Sequence, residues 1–218
     1  MSSALPLACP VCRATPVGDF GVFDGKGYWR CARCGARGIN PAHYPDRSAE
    51  RAHYDWHENH VDDPGYRRFL GRLAAPLRAR LVPGAQGLDY GCGPGPALAA
   101  MLREAGHGMA VYDPFYAPDP APLTATYDFV TCTEVAEHFH APAVEFDRLG
   151  ALLRPGGLLA VMTCFQTEDA RFETWHYRKD PTHVVFYRAE TFGIIAAMRG
   201  WECEIVAKDV AFLSVPGA

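Results

Sequence analysis

The stretch from Ala85 to Gly106, AQGLDYGCGPGPALAAMLREAG, constrains the fold more than any other part of the chain. A short apolar segment ends at Asp89, and glycines follow at 91, 93 and 95. Leu98, Met101 and Leu102 then recur at helical spacing from a start near Pro96-Ala97. This order predicts a strand, a glycine loop and a helix, the opening unit of an α/β layer fold. The glycines let the backbone turn sharply and approach a ligand closely, while the helix start offers unpaired N–H groups. Asp89 is expected to meet a positive group.

The next segment, HGMAVYDPFY, reads as a second strand ending in Asp113, whose carboxylate can accept hydrogen bonds from both hydroxyls of a ribose. A dinucleotide fingerprint requires glycine or alanine where this chain has Pro96. Here the loop instead reads G-x-G-x-G after an acidic residue, a pattern that favours S-adenosylmethionine.

Near the N-terminus, Cys9-Pro-Val-Cys12 and Cys31-Ala-Arg-Cys34 form two C-x-x-C pairs separated by eighteen residues. That spacing is expected to hold a structural Zn2+ by four thiolates, with no position left for a substrate. Two disulfides are the competing reading, and nothing suggests the oxidising compartment they would need. Between the pairs, VGDFGVFDGKGYWR predicts a β-hairpin turning at Asp24-Gly25-Lys26-Gly27. So short a segment is expected to need the metal to fold, whereas the rest of the chain should bind its ligand without it.

The chain has 218 residues, 49% hydrophobic and 21% charged, enough for one large α/β unit and one small appendage. No basic leader with an apolar core opens it, and no apolar run is long enough to span a bilayer, so the expectation is a cytoplasmic protein without a membrane partner. The net charge of -4 lacks the footprint of a nucleic-acid binder. Residues 1–40 nevertheless carry an excess of three positive charges and the remainder -7. Three segments are expected: a zinc ribbon at 1–40, a helical cap or linker at 41–82, and the α/β domain at 83–218. In the linker Ser48 is placed to cap a first helix. Phe69, Leu70, Leu73, Leu77 and Leu81 share a face of a second, which Pro76 is expected to kink or interrupt. Trp56 and His60 are read as an amphipathic cover on the main domain.

LDYGCGPGP, VYDPF, YDFVTCTEVAEHF and LLRPGGLLAVMT occur in an order and spacing that resembles the class I S-adenosylmethionine-dependent methyltransferases over about residues 85–215. The resemblance implies a Rossmann-like α/β fold: a seven-stranded sheet ordered 3-2-1-4-5-7-6 with helices on both faces. YDFVTCT would be strand four, LLAVMT strand five, and ECEIVAKDV with AFLSV the closing hairpin. The Pro-rich interval PFYAPDPAPLTATYD leaves little room for strand three. The cofactor is then expected against Asp89, Gly91, Cys92, Gly93, Gly95, Asp113, Pro114, Thr133 and Glu134. Tyr54 would roof the site, with His57 and Asn59 as further candidates.

After strand four, Glu134, Glu137 and His138 are spaced to share a face of one helical turn. This E-x-x-E-H cluster resembles the metal site of the small-RNA 2′-O-methyltransferases and of the ubiquinone-pathway O-methyltransferases. The resemblance implies a Mg2+, Mn2+ or Zn2+ ion held by Glu134, Glu137, His138 and a later histidine, for which His183 is the candidate. Glu137, His176 and His183 are the expected catalytic residues, with His176 as base. The alternative is an ion-free cluster whose histidine braces the cofactor loop. The leading functional expectation is O-methylation of a small or medium-sized metabolite, with metal assistance. An RNA methyltransferase that recognises substrate through its ribbon and a non-catalytic cofactor-binding module are the alternatives.

Overall fold

The structure is a computed structural model that describes residues 5–56 and 60–217. His57 and Asn59 lie outside the described residues. The polypeptide builds two sheets. The first is antiparallel, in the order β1 (Gly18–Phe23), β2 (Lys26–Arg30), β3 (Arg37–Ile39) and β8 (Val185–Phe186). The second runs β5-β4-β6-β7-β10-β9, from β5 (Gly108–Tyr112) through β4 (Gln86–Tyr90), β6 (Tyr127–Thr133) and β7 (Leu153–Met162) to the hairpin of β10 (Val210–Ser214) and β9 (Glu202–Ala207). The first four of these strands are parallel, and β10 is antiparallel to both its neighbours.

Helices cover both faces of the larger sheet. Leu70, Leu73 and Leu77 of α2 (Pro64–Arg78) and Leu98 and Leu102 of α3 (Ala97–Glu104) pack with Phe129 and Phe212 on one side. Phe146 and Leu149 of α4 (Pro142–Ala151) and Phe192 and Ile195 of α5 (Ala189–Ala197) pack with Leu88, Val130 and Leu159 on the other. The expected α/β architecture is thus present, with one difference. Six strands form the sheet, and no third strand occurs among the described residues. The Pro-rich interval makes a bridge between Asp113 and Ala117 and a single 3-10 turn at Ala121–Thr124, because prolines cannot donate to a sheet ladder. Consequently β5 is an edge strand, half-buried along its length.

The cysteine-bearing segment is not an appendage. Its β3 pairs with β8 at Arg37–Phe186 and Gly38–Val185, and Tyr28, Ile39, Phe172, Val184 and Phe186 share one buried cluster. The Arg178 guanidinium reaches back to Asp24 at 2.7 Å, and the Thr191 hydroxyl donates to the Cys34 carbonyl at 2.8 Å. The boundary expected at residue 40 therefore cuts through a sheet, since β2 and β3 alone do not complete it. The hairpin itself turns on Asp24 and Gly25, both at positive φ (50° and 75°).

The linker differs from expectation in three details. Helix α1 (Arg47–Tyr54) is capped by Asp46, whose carboxylate accepts from the N–H groups of Ser48 and Ala49, so Ser48 lies inside the helix. Pro76 does not interrupt α2, which ends only at Arg78; so near the C-terminus, few helical bonds depend on it. Trp56 is 85% exposed and covers nothing. No helix among the described residues is long and apolar enough to cross a membrane.

Candidate active site

A cavity of about 650 Å³ opens at the carboxyl ends of β4, β5 and β6, roofed by α1. Its floor is the glycine loop. Gly91 and Gly93 adopt φ of 78° and 63°, and a Cβ on Gly91 would overlap the Val135 side chain. The Gly91 and Cys92 N–H groups donate to the Tyr112 carbonyl at 2.8 and 3.2 Å, tying the loop to the end of β5. Asp113 then fixes the opposite wall: its carboxylate accepts from Gly93 N at 3.0 Å and from Phe115 N and Tyr116 N at 2.8 and 3.0 Å. Phe115 and Tyr116 fill Oδ1 and Gly93 takes one position on Oδ2, which leaves one lone pair of Oδ2 for a ligand hydroxyl.

Of the residues expected at the cofactor, Tyr54, Gly91, Cys92, Gly93, Asp113, Pro114, Thr133 and Glu134 line this cavity. Asp89 and Gly95 do not. Asp89 is buried beneath the loop, where it accepts from the Thr131 hydroxyl at 2.7 Å and from the Ala99 N–H. Burial, only partly offset by those donors, pushes its carboxyl up to about 6. Its place is explained by strand alternation: Leu88 and Tyr90 face α4, while Asp89 points to the start of α3. Gly95 is buried under the helix it opens.

Three side chains converge at the ends of β6 and β7. Glu137 Oε1, His138 Nε2 and His183 Nε2 lie within 4.8 Å of one another, with His138 at 3.8 Å and His183 at 4.0 Å from the carboxylate. Each imidazole engages a backbone carbonyl through Nδ1, His138 with Thr182 at 3.0 Å and His183 with Tyr177 at 2.6 Å. A carbonyl only accepts, so both rings carry a proton on Nδ1, and Nε2 of each faces Glu137. Burial holds His183 below its ordinary pKa, which keeps it neutral.

Glu137 is fully buried, and two hydroxyls hold it. Tyr177 donates to Oε1 at 2.5 Å and Thr163 to Oε2 at 2.8 Å. Glu134 sits apart from the three ligand-type atoms. Its φ of 53° precedes a 3-10 turn over Ala136–His138, so the helical i, i+3 relation expected for the two glutamates does not apply. Its Oε2 lies 3.2 Å from the Tyr177 hydroxyl, and burial followed by the Glu137 charge raises its carboxyl to about 9.

His176, expected as the base, is exposed and outside the cavity. The 3-10 turn at His176–Lys179 drives Tyr177 inward and therefore its predecessor outward. Two functional positions were not anticipated. Tyr177 is the hydrogen-bonded post between the two glutamates. Asp180 lines the cavity, with Oδ1 accepting from Thr182 N and Oγ1 and Oδ2 lying 3.0 Å from His53 Nε2 and 3.8 Å from His183 Nε2. Against the opposing effect of burial, His183, Thr182 and His53 hold Asp180 at about 2. The only sequence signal was an Asp three residues before a histidine.

At the N-terminus the four cysteines are buried together, with Cys9 and Cys34 sulfurs 3.7 Å apart and Cys12 and Cys31 sulfurs 3.5 Å apart. The two knuckles repeat one geometry: Cys9 N donates to Ala14 O and Cys31 N to Ala36 O, each at 2.9 Å.

The family described as "Methyltransferase domain" matches residues 65–206. No curated protein matches the chain in sequence. Among solved structures, it is similar to 1,6-didemethyltoxoflavin-N1-methyltransferase of Burkholderia thailandensis, determined with 1,6-didemethyltoxoflavin and S-adenosylhomocysteine. The identity is 16%, the TM-score 0.57, and the match covers 91% of this chain and 99% of that one. It is also similar to TnmH, at 13% identity and a TM-score of 0.53, over 71% of this chain and 55% of that one. At these identities the likeness is one of fold.

Proposed function

This chain belongs to the methyltransferase-domain family as a class I S-adenosylmethionine-dependent enzyme, and from that premise we propose that it methylates an oxygen of a small or medium-sized metabolite. The observation that carries the proposal is the meeting of Glu137, His138 and His183 in the same cavity as Asp113 and the glycine loop. One carboxylate and two Nδ1-protonated imidazoles form a donor set suited to a divalent ion such as Mg2+, Mn2+ or Zn2+.

In this reading Asp113 holds a ribose hydroxyl, the Gly91–Gly93 backbone lies against the donor, and Tyr54 closes the roof through its packing on Phe115 and His138. The bound S-adenosylmethionine supplies an electrophilic sulfonium methyl. A divalent ion, where bound, supplies Lewis acidity that lowers the pKa of an acceptor hydroxyl. Glu137, held by Tyr177 and Thr163, fixes one ligand oxygen, and the Thr182 and Tyr177 carbonyls fix the two imidazole tautomers. Without an ion, His183 Nε2 accepts the hydroxyl proton, and the Asp180 carboxylate 3.8 Å away stabilises the imidazolium. The positions of Glu134 and His176 give them no part in this set.

The cavity wall also bears on the acceptor. The carboxylates of Glu50, Asp113, Glu137, Glu145 and Asp180 line it, with Glu134 held protonated, against a single guanidinium among the described residues, that of Arg148. Such a wall suits a neutral or cationic acceptor and disfavours the phosphates of RNA. The experiment is labelling of a metabolite extract with methyl-labelled donor, with and without a chelator and with and without nuclease. A small soluble product whose formation needs a divalent ion supports the reading. Label in a nuclease-sensitive polymer supports RNA, and undiminished turnover in chelator returns the proton to His183 alone.

The second element of the proposal is a structural Zn2+ on Cys9, Cys12, Cys31 and Cys34. Zinc–sulfur bonds of about 2.3 Å in a tetrahedron set sulfurs about 3.8 Å apart, close to the separations found, whereas a disulfide needs about 2.05 Å.

A further inference from the structure

Glu137, His138 and His183 all hang on one short stretch of backbone. Val184 directly follows His183, and its N–H donates to the Glu137 carbonyl at 2.9 Å. Thr182, on the other side of His183, accepts from His138 Nδ1 on its carbonyl at 3.0 Å. Residues 182–184 therefore carry one of the three side chains, hold the backbone of a second and fix the ring of the third.

The other edge of this stretch belongs to the cysteine-bearing sheet. The Val184 carbonyl accepts from Ile39 N at 3.0 Å, and the β3–β8 ladder continues the contact at Gly38–Val185 and Arg37–Phe186. Strand β3 starts directly after Ala36, whose carbonyl accepts from Cys31 N at 2.9 Å within the second knuckle. Two further ties run from the thiolates to the elements that flank the cluster. Pro10, inside the first knuckle, accepts on its carbonyl from Ala143 N at 2.9 Å, in the opening turn of the helix that follows His138. The Cys34 carbonyl accepts from Thr191 Oγ1 of α5 at 2.8 Å, and Tyr187, just before that helix, donates from its hydroxyl to the Ala136 carbonyl at 2.8 Å. The glycine loop, by contrast, is tied to the end of β5 through Tyr112 and Asp113.

We infer that zinc in the four-thiolate site sets the affinity of Glu137, His138 and His183 for their divalent ion. The inference rests on both metal readings given above. The knuckles share no covalent bond, so the ion is what joins them. Joined, they hold β3 and the start of α4, and these fix the backbone from which the three donor side chains project. Groups that only orient metal ligands change metal affinity by about 10- to 100-fold when they are lost. Pro10 and Ile39 are thus positioning residues, acting through their backbone groups on Ala143 and Val184. Asp113 and the glycine loop lie outside this path, which makes the coupling selective for the ion over the methyl donor.

Coupling between two binding sites is reciprocal, so it is measurable in the unmodified full chain. Competition for zinc against a zinc-selective fluorescent indicator, run with and without saturating Mn2+, should show zinc held about tenfold tighter when Mn2+ is present. Glu137→Ala should erase that difference. Conversely, the double variant Cys9→Ser, Cys31→Ser cannot close a four-thiolate shell. Below its melting temperature it should bind Mn2+ about tenfold weaker or more, read from the paramagnetic resonance of the free ion. Its affinity for S-adenosylhomocysteine, by calorimetry, should stay within about twofold. Equal zinc affinity with and without Mn2+ would overturn the inference, and this experiment decides alone if the double variant does not fold. An unaltered Mn2+ affinity in that variant would overturn it too, as would equal losses of Mn2+ and S-adenosylhomocysteine, which mark a general loosening. An unmodified chain that holds no zinc, or that binds no Mn2+, would instead overturn the corresponding metal reading beneath it.

Discussion

At the scale of single residues, the site separates groups that hold a ligand from groups that hold those groups. Asp113 ties Gly93, Phe115 and Tyr116 with oxygens that line the cavity, and in the proposed reading holds the ribose as well. Glu137 has a narrower task, and Glu137→Ala should abolish metal-dependent turnover while leaving S-adenosylmethionine affinity within about twofold, because sites this far apart rarely couple strongly. Product formation and calorimetry on one preparation check both halves. Asp89 gives a pH prediction. Its folded pKa of about 6 exceeds the ordinary 3.8, so the folded state binds the extra proton; this stabilisation is complete below about pH 4 and is lost as pH rises through about 6. Asp89→Asn removes that dependence, so its stability relative to the unmodified protein should climb over that window, by about 3 kcal/mol at most. Denaturation curves at pH 4, 5, 6 and 7 measure it, and a constant difference would remove the cause. Residues carried by one continuous motif, Asp113 and the glycines, were legible in the sequence. Tyr177 and Asp180 were not, because Glu137 lies 40 residues before the first and His53 127 residues before the second, and periodicity reports a face of an element but not which loops meet over it.

At the scale of elements, β4 was readable as a short apolar run ending at the glycine loop, β6 and the β9–β10 hairpin followed from the family resemblance, and prolines foretold the gap where a third strand would stand. What the sequence concealed was the two-residue β8. Val185 and Phe186 have no periodicity to detect, yet they complete the cysteine-bearing sheet and bury Phe172 and Tyr28 beneath it. The pairing of β3 with β8 speaks against the expected independence of the rest of the chain from residues 1–40. Removing them strips β3 from β8 and uncovers Val184 and Phe186, so the truncated chain should be insoluble or melt well below the full chain, rather than survive as a binding core. Cys31→Ser should likewise lower the melting temperature, by about 10 °C if several kcal/mol of metal binding are lost, and metal analysis should give about one zinc per full-length chain. A zinc-free protein with an unchanged melting temperature in that variant would contradict the assignment. Helix α1 roofs the cavity. None of its residues is buried, and it is fastened by Arg47 to the Pro114 carbonyl, Glu50 to His140 and His53 to Asp180.

At the scale of the whole molecule, the parallel part of the larger sheet arranges the site by strand. In the proposed reading, ribose recognition sits at β5 and the loop against the donor at β4, while the ligand-type cluster lies past β6 and β7. The N-terminal sheet braces the segment carrying Tyr177, Asp180 and His183, since β8 follows His183 by two residues. Part of the positive charge at the N-terminus that made RNA a candidate partner is paired within the protein, as buried Arg37 meets Asp169 at 2.5 Å and exposed Arg13 meets Asp147 at 2.6 Å. The measurement that bears most directly on this arrangement is calorimetric titration of S-adenosylmethionine into the unmodified protein and into Asp113→Ala. The account predicts one cofactor per chain in the former and about a hundredfold weaker binding in the latter, the loss of a charge-assisted hydrogen bond to a ribose hydroxyl. Equal affinity in the two proteins would contradict it.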